Sequence, residues 1–196
     1  FMPLSPPVAR EPLHRRQIDC RGYRRADGLW DIEGHIVDTK TYSFPNHDRG
    51  EILAGEPLHE MWVRLTVDDD MWVRDVEAVT DAGPYRVCPD ITPKFSVLKG
   101  LRIAPGWTMK VRELLGGVNG CTHLVELLGP VATVVFQTLV ALRQKRLDQM
   151  PSDKRPSIIG SCHAYRSDGE VVQRRWPTFY TGSKDAAGAG GEPASS

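Results

Sequence analysis

A run of alternating apolar and polar residues constrains the fold more than any other feature of this chain. In GLWDIEGHIVDTKTY, residues 28–42, a period of two predicts a β-strand with one face packed and the other polar. The predicted packed face carries Trp30, Ile32, Gly34 and Ile36, and the opposite face carries Asp31, Glu33, His35 and Val37. The Asp27-Gly28 pair predicts a turn before this strand.

Two further stretches predict β-hairpins. In HEMWVRLTVDDDMWVRDVEAVT, residues 59–80, two apolar runs flank three aspartates at 68–70, which indicates a hairpin with an acidic turn. In IIGSCHAYRSDGEVVQRRW, residues 158–176, the Ser-Asp-Gly sequence at 167–169 indicates a turn between two more strands. These patterns together predict a mostly antiparallel sheet.

Helical patterns are gathered in the middle of the chain. ITPKFSVLKGL, residues 91–101, predicts a short helix with Thr92 as its N-cap and Pro93 at its first position. THLVELLGPVATVVFQTLVALRQKRL, residues 122–147, is the longest helical pattern, and its Gly129-Pro130 pair predicts a kink or a split. Strands with a long, kinked or split central helix predict an α+β fold.

The composition of the two ends differs from that of the middle. Residues 1–12 contain four prolines and predict an extended arm, and the small, glycine-rich residues 183–196 predict a disordered tail. The sequence therefore predicts one domain over residues 13–182. Lys+Arg and Asp+Glu both number 25, and this balance argues against a nucleic-acid partner.

The hydropathy pattern bears on the compartment of the protein. No apolar run approaches the roughly 20 residues of a membrane-spanning helix, so no membrane partner is expected. We expect a cytoplasmic protein of a bacterium in which the four cysteines are reduced thiols.

The glycine-rich stretch GGVNGCTHLVELLG, residues 116–129, places chemically useful side chains at the start of the central helix. Thr122 fits the N-cap, and a helix N-terminus stabilises negative charge, which favours a thiolate at Cys121 and an oxyanion nearby. His123 and Glu126 are three residues apart, so Glu126 can orient the imidazole of His123 as a base. The alternative is a capped helix with a buried cysteine and a hydrogen-bonded histidine.

The end of the first predicted strand carries a second group of candidate residues. Asp38, Lys40 and Tyr42 share the alternate face of the chain beyond Val37. If helices cover this face, Asp38 and Lys40 pair, and Lys40 or Tyr42 is a proton donor with a shifted pKa. If they do not, the charges are an ordinary solvated face. His59, at the start of the predicted hairpin, is a third candidate.

A metal site is the alternative interpretation of the cysteines and histidines. Thiolates and imidazoles suit zinc or an iron–sulfur cluster, and the residues that can supply them are Cys88, Cys121, His123, Cys162 and His163. The chain has no C-x-x-C pair, and the spacings are long. Phosphate-binding and zinc-protease motifs are absent as well, so nucleotide-binding and zincin functions are unsupported.

Four stretches resemble one bacterial family that is catalogued as a domain of unknown function. They are CRGYRRADGLWDIEGHIVDTKTY, HEMWVRLTVDD, PYRVCPD and LLGGVNGCTHLVELL, and the resemblance runs from about Leu13 to Gln144. Its most specific pieces are GLWDIEG with DTK, and GCTHL with the helix after it. The family is associated with γ-formaldehyde lyases of aromatic catabolism, which act on phenylcoumaran compounds derived from lignin. The resemblance implies a lyase without a cofactor, a small aromatic substrate, and an oligomeric state open between monomer and homodimer.

The resemblance also implies roles for the candidate residues. His123 would be the base, oriented by Glu126, and Lys40 or Tyr42, held by Asp38, would protonate or stabilise a phenolate. Substrate-binding residues would be Cys121, Thr122, His59, Trp30, Trp62 and Tyr85. For the tryptophans, plain core packing is the alternative.

A second, looser resemblance is to iron–sulfur cluster assembly scaffolds. A cysteine near a proline loop and a later glycine-cysteine helix start carry it, as Cys88 and Cys121 do here. It implies something about fold more than about function, and it leaves a thiol, zinc or iron–sulfur-binding accessory protein as the alternative to an enzyme.

Overall fold

The structure, a computed structural model, describes residues 4–183 and contains a four-stranded sheet in the order β1-β2-β5-β6. All neighbouring strands in this sheet are antiparallel. The strands are β1 (His14–Arg24), β2 (Trp30–Lys40), β5 (Pro57–Val67) and β6 (Val73–Ala82), with a separate small hairpin of β3 (Phe44–Asn46) and β4 (Gly50–Ile52). The predicted strand and the predicted hairpin at residues 59–80 are both confirmed.

Helices follow the sheet in the chain. They are a 3-10 helix at Cys88–Leu98, α1 (Trp107–Leu115), α2 (Thr122–Thr138), α3 (Val140–Asp148) and α4 (Glu170–Arg175), with three short 3-10 turns between and after them. The predicted α+β class, with a mostly antiparallel sheet and a split central helix, is confirmed.

Contacts group the chain into two compact units, which meet in sequence between Leu142 and Arg143. The first unit contains the sheet, α1 and α2, and the second contains α4 and its neighbouring turns. The bounds of the single domain predicted at 13–182 stay a prediction, as does the extended arm. The predicted tail lies outside the described residues, except for Ser183.

The acidic turn between β5 and β6 is stabilised by local hydrogen bonds, so the hairpin can be predicted from the sequence. The carboxylate of Asp68 accepts hydrogen bonds from the backbone N–H groups of Asp70 and Trp72, each at 2.9 Å. An aspartate that bonds the backbone two and four residues later fixes a tight turn. This local bonding sets the register of the two strands on either side.

Helix α2 covers one face of the sheet, and two glycines allow its close approach. Ile32 and Ile36 of β2 are fully buried on this face, as the alternation predicts. A Cβ atom added at Gly34 would lie 2.5 Å from Cγ2 of Val131, and one added at Gly22 would overlap the side chain of Thr138. Small residues at these two positions therefore set the distance between helix and sheet.

The central helix divides later than the sequence predicts. Helix α2 runs through Gly129 and Pro130 and ends at Thr138, and α3 begins after Leu139. Proline removes the hydrogen bond to the carbonyl four residues earlier. That carbonyl belongs to Glu126, an exposed residue, and α2 continues past this position without a break.

Three local predictions are wrong. The helix predicted with Thr92 as its N-cap begins at Cys88 with Pro89, and the Thr92 hydroxyl instead donates to the Pro89 carbonyl. The N-cap of α2 is Cys121, and Thr122 is its first helical residue. Residues 158–176 contain α4 in place of a hairpin, because the Asp-Gly pair precedes a helix start rather than a strand.

Among residues 4–183, no single helix has both the length and the apolar character needed to span a membrane. The segments α2 and α3 meet those criteria only when they are taken together across the bend at Leu139.

Candidate active site

Polar side chains from three strands meet at one end of the face that α2 covers. Arg16 of β1 lies opposite Asp38 of β2, and Asp38 lies opposite His59 of β5. Residues directly opposite each other on antiparallel strands point to the same side of the sheet. The first turn of α2 adds His123 above them, so the register of the sheet and the start of one helix build a single polar cluster.

Asp38 is the centre of this cluster. Its side chain is 1% exposed and accepts hydrogen bonds at 2.7 Å from both Nε and Nη2 of Arg16. His59 Nδ1 lies 3.0 Å from the same carboxylate, and His14 Nε2 lies 3.3 Å from it. Burial opposes ionisation most, but the hydrogen bonds and charges of Arg16 and His59 together outweigh it and hold the pKa of Asp38 below its ordinary value. Asp38 is therefore a buried carboxylate.

Arg16 joins the sheet to the central helix. Its Nη1 donates a hydrogen bond of 2.6 Å to Glu126 of α2, while its other nitrogens bind Asp38. The hydrogen bond with Asp38 raises the pKa of Arg16. Burial has the next largest effect and acts in the opposite direction, but the pKa stays above its ordinary value. Glu126 is thus bonded to Arg16, and its predicted role as the group that orients His123 stays a prediction.

Two of the histidines in the cluster, His59 and His123, lie with their rings in tilted contact. The ring centroids of His59 and His123 are 3.6 Å apart with an interplanar angle of 31°. Burial lowers the pKa of both imidazoles, assisted at His59 by the neighbouring His123 and at His123 by the charge of Arg16. Both rings are therefore neutral near pH 7 and each keeps one nitrogen lone pair.

The start of α2 has no side-chain cap. Its N-cap residue, Cys121, makes no capping hydrogen bond, and its thiol instead lies 3.7 Å from the Met61 sulfur and 3.9 Å from His123 Nδ1. The first N–H groups of a helix have no partner within the helix. Thr122 is exposed at the same point, so amide donors beside His123 remain available to a negatively charged oxygen.

Lys40 and Tyr42 lie beyond the cluster on the same strand and its continuation. The Lys40 ammonium lies 6.0 Å from the centroid of the Tyr42 ring, and Tyr42 is 46% exposed. Within residues 4–183, no hydrogen bond or ion pair joins either side chain to Asp38. Arg16 occupies the place that the sequence-based prediction gave to Lys40, because the register puts Arg16 directly opposite Asp38.

The predicted aromatic walls lie elsewhere. Trp30 is at the other end of β2, roughly 26 Å along the strand from Asp38, with its indole N–H bonded to Asp69. Trp62 is on the uncovered face of the sheet and stacks on His35 with centroids 3.6 Å apart. Tyr85 is 58% exposed in the loop after β6. Trp30 and Trp62 therefore do not line the histidine pair.

The same cluster has the composition of a metal site. One ligand atom from each of Asp38, His59 and His123 lies within 4.8 Å of the other two. Two imidazoles and a carboxylate suit zinc or another divalent transition metal. Of the predicted cysteine-containing set, only His123 belongs to this group in the described part of the chain; Cys88, Cys121 and Cys162 do not. Cys162 is an exposed residue of the second unit.

A comparison with protein families bears on the identity of the chain. A family model described as "Protein of unknown function (DUF2889)" matches residues 14–137. The chain belongs to this family. The matched segment begins with the first residue of β1 and ends one residue before the end of α2, so in this DUF2889 protein it contains the whole cluster. Comparisons with curated proteins and with solved structures gave no match.

Two members of the cluster cannot be predicted from the sequence. His14 and Arg16 lie on β1, whose sequence HRRQIDCRGYR has charged residues on both faces and therefore lacks the alternation that predicts a strand. A weaker signal is present in every second residue, since Ile18, Cys20 and Gly22 continue the face of Arg16. That signal is readable only when the partner strand is known.

Proposed function

We propose that this protein is a carbon–carbon lyase that releases formaldehyde from a lignin-derived phenylcoumaran-type aromatic dimer and leaves a stilbene. One observation carries the proposal: the buried carboxylate of Asp38 bonds a neutral imidazole beside an uncapped helix start. A general base and a site for a developing oxyanion are the two devices that this cleavage needs. The resemblance of the sequence to γ-formaldehyde lyases supplies the substrate class.

The reaction balances without an oxidant or reductant. A base takes the proton of the hydroxymethyl group, and the oxygen electrons form the carbonyl of formaldehyde. The electrons of the broken carbon–carbon bond form the double bond of the stilbene and expel the aryl oxygen of the dihydrofuran ring as a phenoxide. The proton then returns to this phenoxide, so substrate and products differ only in bonding.

In this proposal His59 is the base. Asp38 accepts a hydrogen bond from its Nδ1–H, which fixes the tautomer and leaves the Nε2 lone pair for the hydroxyl proton. His123, in ring contact with His59, receives this proton from His59 and passes it to the phenoxide, which leaves both imidazoles neutral again. The first amides of α2 stabilise the negative oxygen before it is protonated. Lys40 and Tyr42 remain alternative proton donors, tested by loss of turnover in Lys40→Met and Tyr42→Phe.

Turnover of a synthetic phenylcoumaran dimer tests the proposal. Formaldehyde is trapped chemically while stilbene absorbance is followed. His59→Gln is expected to lower kcat by about 10²- to 10⁴-fold, since general-base catalysis contributes that much. The matched control is His35→Gln on the uncovered face of the sheet, which should keep the wild-type rate. Wild-type turnover by a folded His59→Gln protein would remove His59 from the mechanism.

A second candidate function is a zinc-binding accessory protein without catalysis, because Asp38, His59 and His123 bring suitable ligand atoms together. Arg16 opposes this candidate, since it bonds both carboxylate oxygens of Asp38 and adds positive charge. Stoichiometric zinc binding that His123→Gln abolishes, together with no formaldehyde release from the dimer, would favour the second candidate. Formaldehyde release by protein treated with a chelator would favour the lyase.

A further inference from the structure

A cleft opens between α1 and the first half of α2. Its volume is about 450 Å³, within the range of about 300–1,000 Å³ that small-molecule sites have. Its apolar walls are formed by Trp107, Val111, Leu115, Val125 and Leu128. Such walls favour a flat, apolar ligand body.

The cleft adjoins the histidine cluster through two residues. Thr122, the first residue of α2, lines the cleft at the uncapped end of the helix. Glu126 also lines it, and its carboxylate accepts the hydrogen bond of Arg16, whose other nitrogens bind Asp38. A ligand in the cleft is therefore connected to the buried carboxylate of Asp38 through Glu126 and Arg16.

One cation beside the cleft, Arg112, has no acidic partner in the part of the chain that the structure describes. Arg112 of α1 is exposed and lines the cleft, and no carboxylate among residues 4–183 forms an ion pair with its guanidinium. The ion pair nearest to it in the sequence joins Lys110 to Glu113. A guanidinium beside an apolar wall is suited to the planar, bidentate recognition of a carboxylate.

We propose that this cleft binds an aromatic carboxylate, with the ring against the walls around Trp107 and the carboxylate at Arg112. Only one part of the inference rests on the proposed function, namely that this ligand is the substrate of the lyase. It deepens that function by assigning the enzyme to aromatic dimers that carry an acidic side chain. Binding of the ligand itself does not depend on any cleavage.

Calorimetric titration of the full chain with 4-hydroxy-3-methoxycinnamate tests the cleft independently of turnover, because this probe has no hydroxymethyl group to lose. We expect one molecule to bind per chain, and its neutral methyl ester to bind at least tenfold more weakly. Arg112→Gln should weaken the acid at least tenfold and leave the ester unchanged. Arg15→Gln, on the uncovered face of the sheet, is the matched control and should bind both like wild type.

A second variant fills the cleft. Val125→Trp, at a half-buried position on its wall, should abolish binding of both acid and ester. Absence of binding by the wild-type chain, or undiminished binding of the acid by Arg112→Gln, would overturn the proposal. If the acid binds as expected but no dimer releases formaldehyde, the cleft assignment stands and the lyase assignment fails.

Discussion

At the scale of single residues, Arg16 governs the charge of the candidate site. It contributes three of its nitrogens to hydrogen bonds with Asp38 and Glu126, so both carboxylates are satisfied by one cation. The same positive charge lowers the pKa of His123 and, as a smaller effect, that of His59. Arg16 therefore adds to the effect of burial, which is the main cause of the lowered pKa of His59 and His123.

Removing the charge of Arg16 should raise the pKa of both histidines. In Arg16→Gln we expect a larger rise for His123 than for His59, because Arg16 is the main charged neighbour that depresses His123. NMR titration of the imidazole ring protons measures both values. Arg15→Gln, one residue away on the opposite face of β1, is the control and should leave both titrations unchanged. An unaltered His123 titration in Arg16→Gln would contradict this account.

The individual candidates can be predicted from the sequence more readily than their arrangement. Asp38, His59 and His123 each stand out by residue type and by position at a strand end or a helix start. Their convergence depends on a register that pairs residues 21 positions apart in the chain. No local pattern encodes such a pairing, which is why Lys40 was predicted as the partner of Asp38 in place of Arg16.

At the scale of elements, the contact between α2 and the sheet depends on residues without a side chain. Gly34 faces Leu127 and Val131 across the interface, and the space that its missing Cβ leaves is filled by those side chains. Because α2 carries His123 and Glu126 at its start, the packing distance between α2 and the sheet also sets the position of His123 relative to Asp38.

Gly34→Ala should therefore reduce the free energy of unfolding by about 1–3 kcal/mol, the usual cost of overpacking a well-packed core. The added Cβ would lie 2.5 Å from Val131 Cγ2, so the helix or the side chain must shift. Chemical denaturation measures the change. Gly129→Ala is the matched control: outside its chain neighbours and the backbone of its own helix, nothing lies within 4 Å of its added Cβ, so no overpacking loss of this size is expected. Equal stabilities for the two variants would disprove the packing argument.

The predictability of each element follows the strength of its local signal. Strand β2 and the hairpin of β5 and β6 were predictable because one face is buried and the other is polar. Strand β1 was missed because a charged edge strand has no such contrast. Helix α4 was mistaken for a strand since a six-residue segment has too few turns to show a helical period.

At the scale of the whole molecule, stability should fall as the solution is acidified. His59 and His123 have a lowered pKa in the folded state, so the unfolded chain binds more protons than the folded one as pH falls from about 6.5 to those lowered values. Asp38 adds to the loss at lower pH, because its depressed pKa stabilises the fold above its ordinary value and this contribution disappears as pH falls through the depressed pKa.

Denaturation curves between pH 7 and pH 5 separate the histidine contribution from the rest. Each histidine contributes a slope of at most about 1.4 kcal/mol per pH unit to the free energy of unfolding. The double variant His59→Gln with His123→Gln should show a flatter pH dependence over this interval than wild type. His47→Gln, at an almost fully exposed histidine, should retain the wild-type slope. A double variant with an unchanged slope would show that the two imidazoles do not govern acid sensitivity.

The position of β1 at the margin of the sheet has one more consequence. It is hydrogen-bonded to β2 on one side only, and both His14 and Arg16 belong to it. When β1 separates from β2 by thermal fraying, the hydrogen bonds of Arg16 to Asp38 and to Glu126 of α2 are lost together. The integrity of the candidate site and the fraying of β1 are in that sense one equilibrium, and the amide hydrogen exchange of residues 14–24 measures it directly.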